Sequence, residues 1–389
     1  YDLGNRNLAF MYEGASSGKL FDWAARYSFG RNRQEYDSSN TSWPEPLATR
    51  DLDNKSFNAQ AGYNGNILSL DGGMDYLKYE LNDDGYKGDI SDTGVYFSGR
   101  LRLLNERFII SGGGRYDHFS VSYANDSAEG NFAPSVGAAV LPLEWLKFRV
   151  NYAAGFRMPD PVEYGGGHYY AANKDIKPEK SKTIEFGSDI NYKSFDAGAT
   201  WFHTDWDDKI IAQKVPELGG RWQYLNITKS VISGLELAAG KNIGAAWNLV
   251  LRPYVNLTLL TERKNGDDAL AALVGSDILP NTPKTLLAYG LDFRHKAYDF
   301  AVNANAVYSS DSLSRDWRDD SSPTYGTYIW NGAGTVLNMS VEKGLYNWKE
   351  NGSLKLRAEI RNIFDADNMP YLDYPGPGRN FYVGLRYGF

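Results

Sequence analysis

The chain of 389 residues contains no cysteine. That excludes a disulfide framework and thiolate metal sites, and it suits an envelope protein that makes no use of thiol chemistry. No run of eighteen apolar residues occurs, and the mean hydropathy is −0.49. A helical membrane span is therefore absent, whereas a strand that crosses a bilayer need be apolar on only one face. A basic surplus is missing too. The net charge is −7, and phosphate binding requires a basic stripe, so nucleic acid is not expected as a partner. No zinc spacing, phosphate-cradling glycine loop or Ser–His–Asp arrangement stands out, and no linker, low-complexity tract or helical heptad marks a second domain. No leader peptide is recognised, so a processed chain or a piece of a longer one is expected.

What the chain does have is aromatic residues (14%, with 28 Tyr and 10 Trp), 40 Gly, and a period of two. In Asn380–Phe389, the residues Phe381, Val383, Leu385, Tyr387 and Phe389 share one face, and Tyr382, Gly384, Arg386 and Gly388 the other. Successive strand side chains point to opposite sides, so this reads as a strand, and ten residues is about the length of a tilted bilayer crossing. The ending resembles the closing strand of a bacterial outer-membrane barrel, which implies that Phe389, Tyr387 and Leu385 form the assembly signal. An edge strand of a soluble sandwich is the alternative. The same alternation recurs in Leu146–Tyr152, Val95–Leu103, Thr285–Phe293 and Leu354–Ile360, with Lys147, Arg149, Arg100, Arg102, Asp292, Arg294, Lys355 and Arg357 on the second face. Such charges are costly in a sandwich core and normal in a watery lumen.

About seventeen strands are read, among them 246–261, 327–342, 353–365 and 379–389. Short links at Asn64–Gly65–Asn66, Asn105 and Tyr192–Lys193–Ser194 alternate with long loops at 37–51, 157–178, 262–282, 311–326 and 366–378. Short turns at one rim and long loops at the other are how outer-membrane barrels are built. The fold class expected is all-β, a transmembrane antiparallel β-barrel over residues 1–389.

Several stretches, taken in order, resemble the TonB-dependent receptor family of the bacterial outer membrane. They are Gly112–Ser120, the hairpin 132–159 ending in Gly155–Phe156–Arg157–Met158–Pro159, Asn173–Ser181, Gly234–Leu237, Leu279–Lys284, Asn362–Phe364 and Tyr374–Arg379. Within Asn173–Ser181, Lys174 and Ile176 depart from the family's usual Pro and Leu. The resemblance implies a barrel of 22 strands filled by an amino-terminal plug that contacts the TonB complex. Neither the plug nor the first few strands is recognised here. It also implies active uptake of a metal chelate, most often a ferric siderophore, by a monomer seated in outer-membrane lipid. Haem or cobalamin uptake by the same family is the alternative, and a passive channel is another.

The ligand-binding candidates are Arg157, Tyr164, His168, Tyr169 and Tyr170, in an aromatic, glycine-bearing loop expected on the extracellular side. Haem receptors of the family place a His in this interval, where a neutral imidazole can ligate iron. Trp317, Tyr325, Tyr328 and Trp330 fit a vestibule or an interfacial girdle. Asp205, Asp207 and Asp208, with Asp316, Asp319 and Asp320, read as solvated loop charge, with Ca²⁺ ligation as the alternative. Catalytic residues, a resident metal and a cofactor are not expected, and neither is an enzyme.

Overall fold

The computed structural model describes residues 2–36, 48–83, 86–123, 125–166, 170–215, 218, 220–245, 247–316, 318–319, 321–348, 352–367, 372 and 376–388. In chain order come β1 (Asp2–Ala15), β2 (Phe21–Tyr36), β3 (Ala48–Asn64), β4 (Leu68–Asp83), β5 (Tyr86–Leu103), β6 (Phe108–Tyr123), β7 (Asn125–Leu143) and β8 (Leu146–Arg157). A one-turn helix α1 (Pro161–Gly165) and a two-residue strand β9 (Tyr170–Ala171) precede β10 (Glu179–Tyr192), β11 (Phe195–Val215) and β12 (Arg221–Lys241). The rest is β13 (Ile243–Ala245), β14 (Leu249–Asn265), α2 (Asp268–Val274), β15 (Thr285–His295), β16 (Phe300–Ser309), β17 (Ser312–Arg315), β18 (Tyr328–Asn331), β19 (Gly334–Asn347), β20 (Ser353–Arg361) and β21 (Asn380–Gly388). The all-β class is as expected from the alternation.

Two compact units divide the chain. Unit 1 comprises 1–140, 150–184 and 205–229, and unit 2 comprises 141–149, 185–204 and 230–389. In unit 1, β1 to β7 pair antiparallel in sequence. The register lines up one apolar face: Phe10, Tyr27, Phe57 and Tyr76 form a row, and Met74, Val95, Tyr116 and Phe132 form the next. This face is bare, with Phe10 60%, Phe97 58% and Phe132 61% exposed. Soluble monomers do not leave so large an apolar patch open.

The opposite face of unit 1 is held by charge. Arg115 bridges Asp75 at 2.6 and 2.7 Å and Asp117 at 2.5 Å, whereas the Arg31–Asp53 pair at 2.6 Å stands on the same face as the apolar row, beyond its end. Gly94 makes this bridge possible, because a Cβ there would lie 2.0 Å from the Arg115 guanidinium.

Unit 2 repeats the design. Leu291, Ala304, Met339, Ile360 and Phe381 form one apolar row. Behind it Arg252 pairs with Asp196 and Lys355 with Glu342, each at 3.0 Å, while Asn303, Asn305, Asn338 and Asn362 hand hydrogen bonds from one to the next. Among the described residues, β1 has one paired neighbour, β2, and β21 has one, β20.

Several details of the expected strand map change. The strand expected at 327–342 is two elements: Tyr328–Asn331 closes a separate hairpin with β17, and β19 starts only at Gly334. The strand expected at 246–261 starts later and runs on to Asn265, since Trp247 and Asn248 form a left-handed turn (φ 65° and 62°). The strand expected at 353–365 ends at Arg361, where Asn362 takes φ 50° and its amide caps Ala366 and Pro377. The loop read at 262–282 contains α2, whose start is capped by Asp267 accepting from the Leu270 amide at 2.9 Å.

Candidate functional site

The segment from Arg157 to Glu179, in unit 1, is a folded substructure. Pairing of β8 stops at Arg157, two residues before Pro159, which has no amide to donate. Asp160 then caps α1. Its carboxylate accepts from the Val162 and Glu163 amides, each at 2.8 Å, and Glu163 accepts from the Asp160 amide at 2.8 Å, a reciprocal capping box. Pro161 at the first helical position suits the fixed φ of proline. Gly166 ends the turn at φ 73°, where a Cβ would lie 2.6 Å from the Ala172 amide nitrogen, so only glycine fits. Tyr170–Ala171 adds as a parallel strand beside Trp222–Gln223 of β12.

Arg157 is the hub. Its guanidinium donates to both oxygens of Glu163 at 2.8 and 3.0 Å and to Glu179 at 3.1 Å. The two carboxylates are largely buried, whereas Arg157 is about half exposed. Glu179 also accepts from the Ile210 amide of β11 at 2.7 Å. Both flanks of the segment, and the neighbouring strand, thus close on one guanidinium fork, whose planar donors suit two carboxylates at once.

Apolar packing seats it. Tyr164, 4% exposed, packs with Ile90, Phe119, Val121, Ile176 and Ile210, and Phe156, Met158 and Tyr224 lean on the cluster. Ile90 shares its strand face with Asp92 and Gly94, and Phe119 and Val121 share theirs with Arg115 and Asp117. An apolar patch therefore interrupts the charged face near one end of β5 and β6, and the segment folds over it. Polar ties complete the seat. Asn173 donates its side-chain amide to the Tyr224 carbonyl at 2.7 Å, and Gln223 donates to the Ala172 carbonyl at 2.6 Å. Asn226 donates to the carbonyls of Lys177 at 2.8 Å and Asp208 at 2.6 Å and accepts from the Lys177 amide at 2.7 Å. The Tyr170 and Tyr224 rings stack with centroids 4.7 Å apart.

Of the expected ligand contacts, Arg157, Tyr164 and Tyr170 are brought into this one assembly, while His168 and Tyr169 lie outside the described residues. Leu385 and Tyr387 stand on the exposed apolar face of β21, and Phe389 lies outside the described residues. Sequence reading passed over the structural partners Tyr224, Asn226, Ile176 and Phe119. The signal was present for Phe119 and Val121: the apolar phase of β6 switches from even to odd positions after Tyr116.

The remaining candidates disperse. Tyr328 lies under the Arg315 guanidinium and Trp330 under that of Arg263, both on the separate hairpin, and Trp317 lies outside the described residues. Asp205 pairs with Lys229 at 3.3 Å, and Asp316 pairs with Arg318 at 2.9 Å. Among the described residues no group of three or more His, Asp or Glu side chains is arranged to hold a metal ion. His203 meets Ser233 at 2.7 Å, and Ser233 donates to Glu262 at 3.3 Å. The hydroxyl lies between ring and carboxylate, which is not the order of a nucleophilic triad.

A family model described as "TonB dependent receptor-like, beta-barrel" matches residues 1–363. Heme/hemopexin utilization protein C of Haemophilus influenzae is 24% identical over 369 residues, covering 87% of this chain and 49% of that protein. The ferric enterobactin receptor of Pseudomonas aeruginosa is 24% identical, covering 72% of this chain and 40% of its own. Among solved structures, the siderophore receptor PirA of Acinetobacter baumannii superposes with a TM-score of 0.74 at 18% identity, covering all of this chain and 62% of that one. The chain spans about half the length, or less, of the curated relatives it matches.

Proposed function

We propose that this chain, which belongs to the TonB-dependent receptor β-barrel family, is the barrel portion of an outer-membrane receptor that takes up a metal chelate, with ferric siderophores as the substrate class. The family's members are outer-membrane β-barrels. In this reading the bare apolar face meets lipid, the charged face lines the passage, and the long connections lie outside the cell. A plug and further strands complete the barrel, and the TonB complex drives uptake through that plug as the receptor works as a monomer.

The observation that carries the reading is the two-faced sheet together with the seated segment 157–179. An apolar row that water does not tolerate is suited to hydrocarbon, and an ion-paired row is suited to a wet interior. The segment turns inward over the charged face at the mouth, where a solute entering the passage meets it first. Its exposed side, carrying Arg157 and Tyr170, is the surface we assign to ligand contact, with Tyr164 buried beneath and seating it. Haem is the second reading, favoured by the likeness to a haem/hemopexin utilization protein and by His168 in this segment.

Tryptophan quenching of the intact receptor against a panel of ferric siderophores, cobalamin and haem tests the proposal. Saturable binding to one siderophore class, weakened at least tenfold when Arg157, Tyr164 and Tyr170 are replaced by Ala, is expected. Binding to haem alone, lost in His168→Ala, selects the second reading. No binding to any member of the panel refutes chelate uptake and favours a passive channel.

A further inference from the structure

A second cleft lies far along the chain from the segment at 157–179, wholly within unit 2. It has a volume of about 520 Å³ and is cut into the charged face of β14, β15, β16, β19 and β20. Its charged lining consists of Arg252, Arg294, Lys296 and Arg357 against Asp292 and Glu342. The whole chain is acidic, yet this cleft holds four cations and two carboxylates.

The carboxylates are already engaged. Glu342 pairs with Lys355 at 3.0 Å, and Asp292 accepts from the Asn303 amide at 2.7 Å. Two of the cations are engaged as well, Arg252 with Asp196 at 3.0 Å and Arg357 with Glu359 at 3.1 Å. Arg294 and Lys296 have no anionic partner among the described residues. The register explains why for Arg294, which faces Val250 on β14 and Ala301 on β16, neither of which has a side chain able to accept a hydrogen bond. Glu342 lies opposite Ala301 on the far side, two strands from Arg294 or roughly 10 Å away. Ala301 thus floors a gap with an arginine on one side and a carboxylate already neutralised on the other. Ser340 and Asn303, on the adjoining row, add neutral polar groups.

We infer that this cleft is a binding site for an oxyanion, a carboxylate or phosphate group held chiefly by Arg294 and Lys296, with Arg252 and Arg357 behind them. An oxyanion restores local charge balance and supplies the two acceptors that a guanidinium fork takes together. The cleft shares no lining residue with the segment at 157–179.

The test is isothermal titration of the intact receptor in detergent micelles at low ionic strength, with inorganic phosphate in one arm and citrate in the other. Saturable binding of at least one anion is expected. It weakens at least tenfold in Arg294→Gln, weakens further in Arg294→Gln/Lys296→Gln, and is unchanged in Lys264→Gln at the far end of β14. A tighter phosphate arm assigns the site to phosphate groups, and a tighter citrate arm to carboxylates. Heat-modifiable migration on gels verifies that each variant is folded, and Arg294→Lys, which keeps the charge without the fork, recovers part of the affinity. Absence of saturable binding to either anion, or equal affinity in the folded Arg294→Gln variant, overturns the inference without touching chelate capture.

Discussion

Arg157→Ala should release the segment 158–178 and leave the sheet intact. The guanidinium makes three hydrogen bonds to two largely buried carboxylates. Breaking a buried pair costs about 3–5 kcal/mol, because it strands a charge. Two features reduce that figure. Arg157 itself is about half exposed, so water screens it, and each carboxylate keeps a backbone donor, the Asp160 amide on Glu163 and the Ile210 amide on Glu179. A net loss of about 2 kcal/mol remains, which raises the population of the opened segment about 30-fold. Hydrogen–deuterium exchange measures it directly at the amides of Tyr164, Gly166 and Asn173, which are bonded within the segment. Exchange there should accelerate about 30-fold, with β4 to β6 unchanged. Arg157→Lys should recover less than half of the free energy, since a point charge cannot serve both carboxylates bidentately. Unchanged exchange at those three amides, or equal acceleration throughout the strands, would refute the hub.

Phe119→Ala removes the apolar floor under Tyr164. With a buried Phe worth about 3–5 kcal/mol, the segment should become protease-sensitive while heat-modifiable migration is retained. Phe97→Arg places a charge on the bare face and should cost about 2–4 kcal/mol in urea unfolding from lipid vesicles, whereas Ser98→Arg on the other face should be nearly neutral. Equal effects of the two would defeat the assignment of faces. Asp316, buried beyond the end of β17, is held below its ordinary value of 3.8 by the Arg318 guanidinium and then the Thr324 hydroxyl. A depressed carboxyl stabilises the fold at all pH above its unfolded value and loses that stabilisation only as pH falls through the folded one. The segment between β17 and β18 should therefore resist pepsin at about pH 4 and yield only in stronger acid, and Asp316→Asn should be cut at both. Resistance of that variant equal to wild type would count against the pairing.

The strands were legible because their physics is local. In Leu354–Ile360 or Thr285–Phe293 each residue declares its face by parity, and the pairing confirms it row by row. Connections were less legible, because their structure depends on partners far away. Nothing near Asn226 in sequence says that it will hold Lys177 and Asp208, and nothing near Arg157 names Glu179. The helix α2 carried a readable cap at Asp267, yet seven residues inside a long connection give a weak periodic signal. Part of the site could have been found: Ile90, Phe119 and Val121 are apolar residues on a face that parity assigns to charge, and such a lapse marks something lying over them.

The edges of β1 and β21 carry a consequence for biogenesis. Each strand pairs on one side only among the described residues, which leaves a row of amide donors and carbonyl acceptors along the other. In water such a row is tolerable. In hydrocarbon each unmet group costs several kcal/mol, so β21, with nine residues, cannot enter lipid until some strand meets its open side. In the proposed outer-membrane setting, a sheet that lacks a neighbour for either edge bears that cost along the whole edge, so lipid favours the paired sheet.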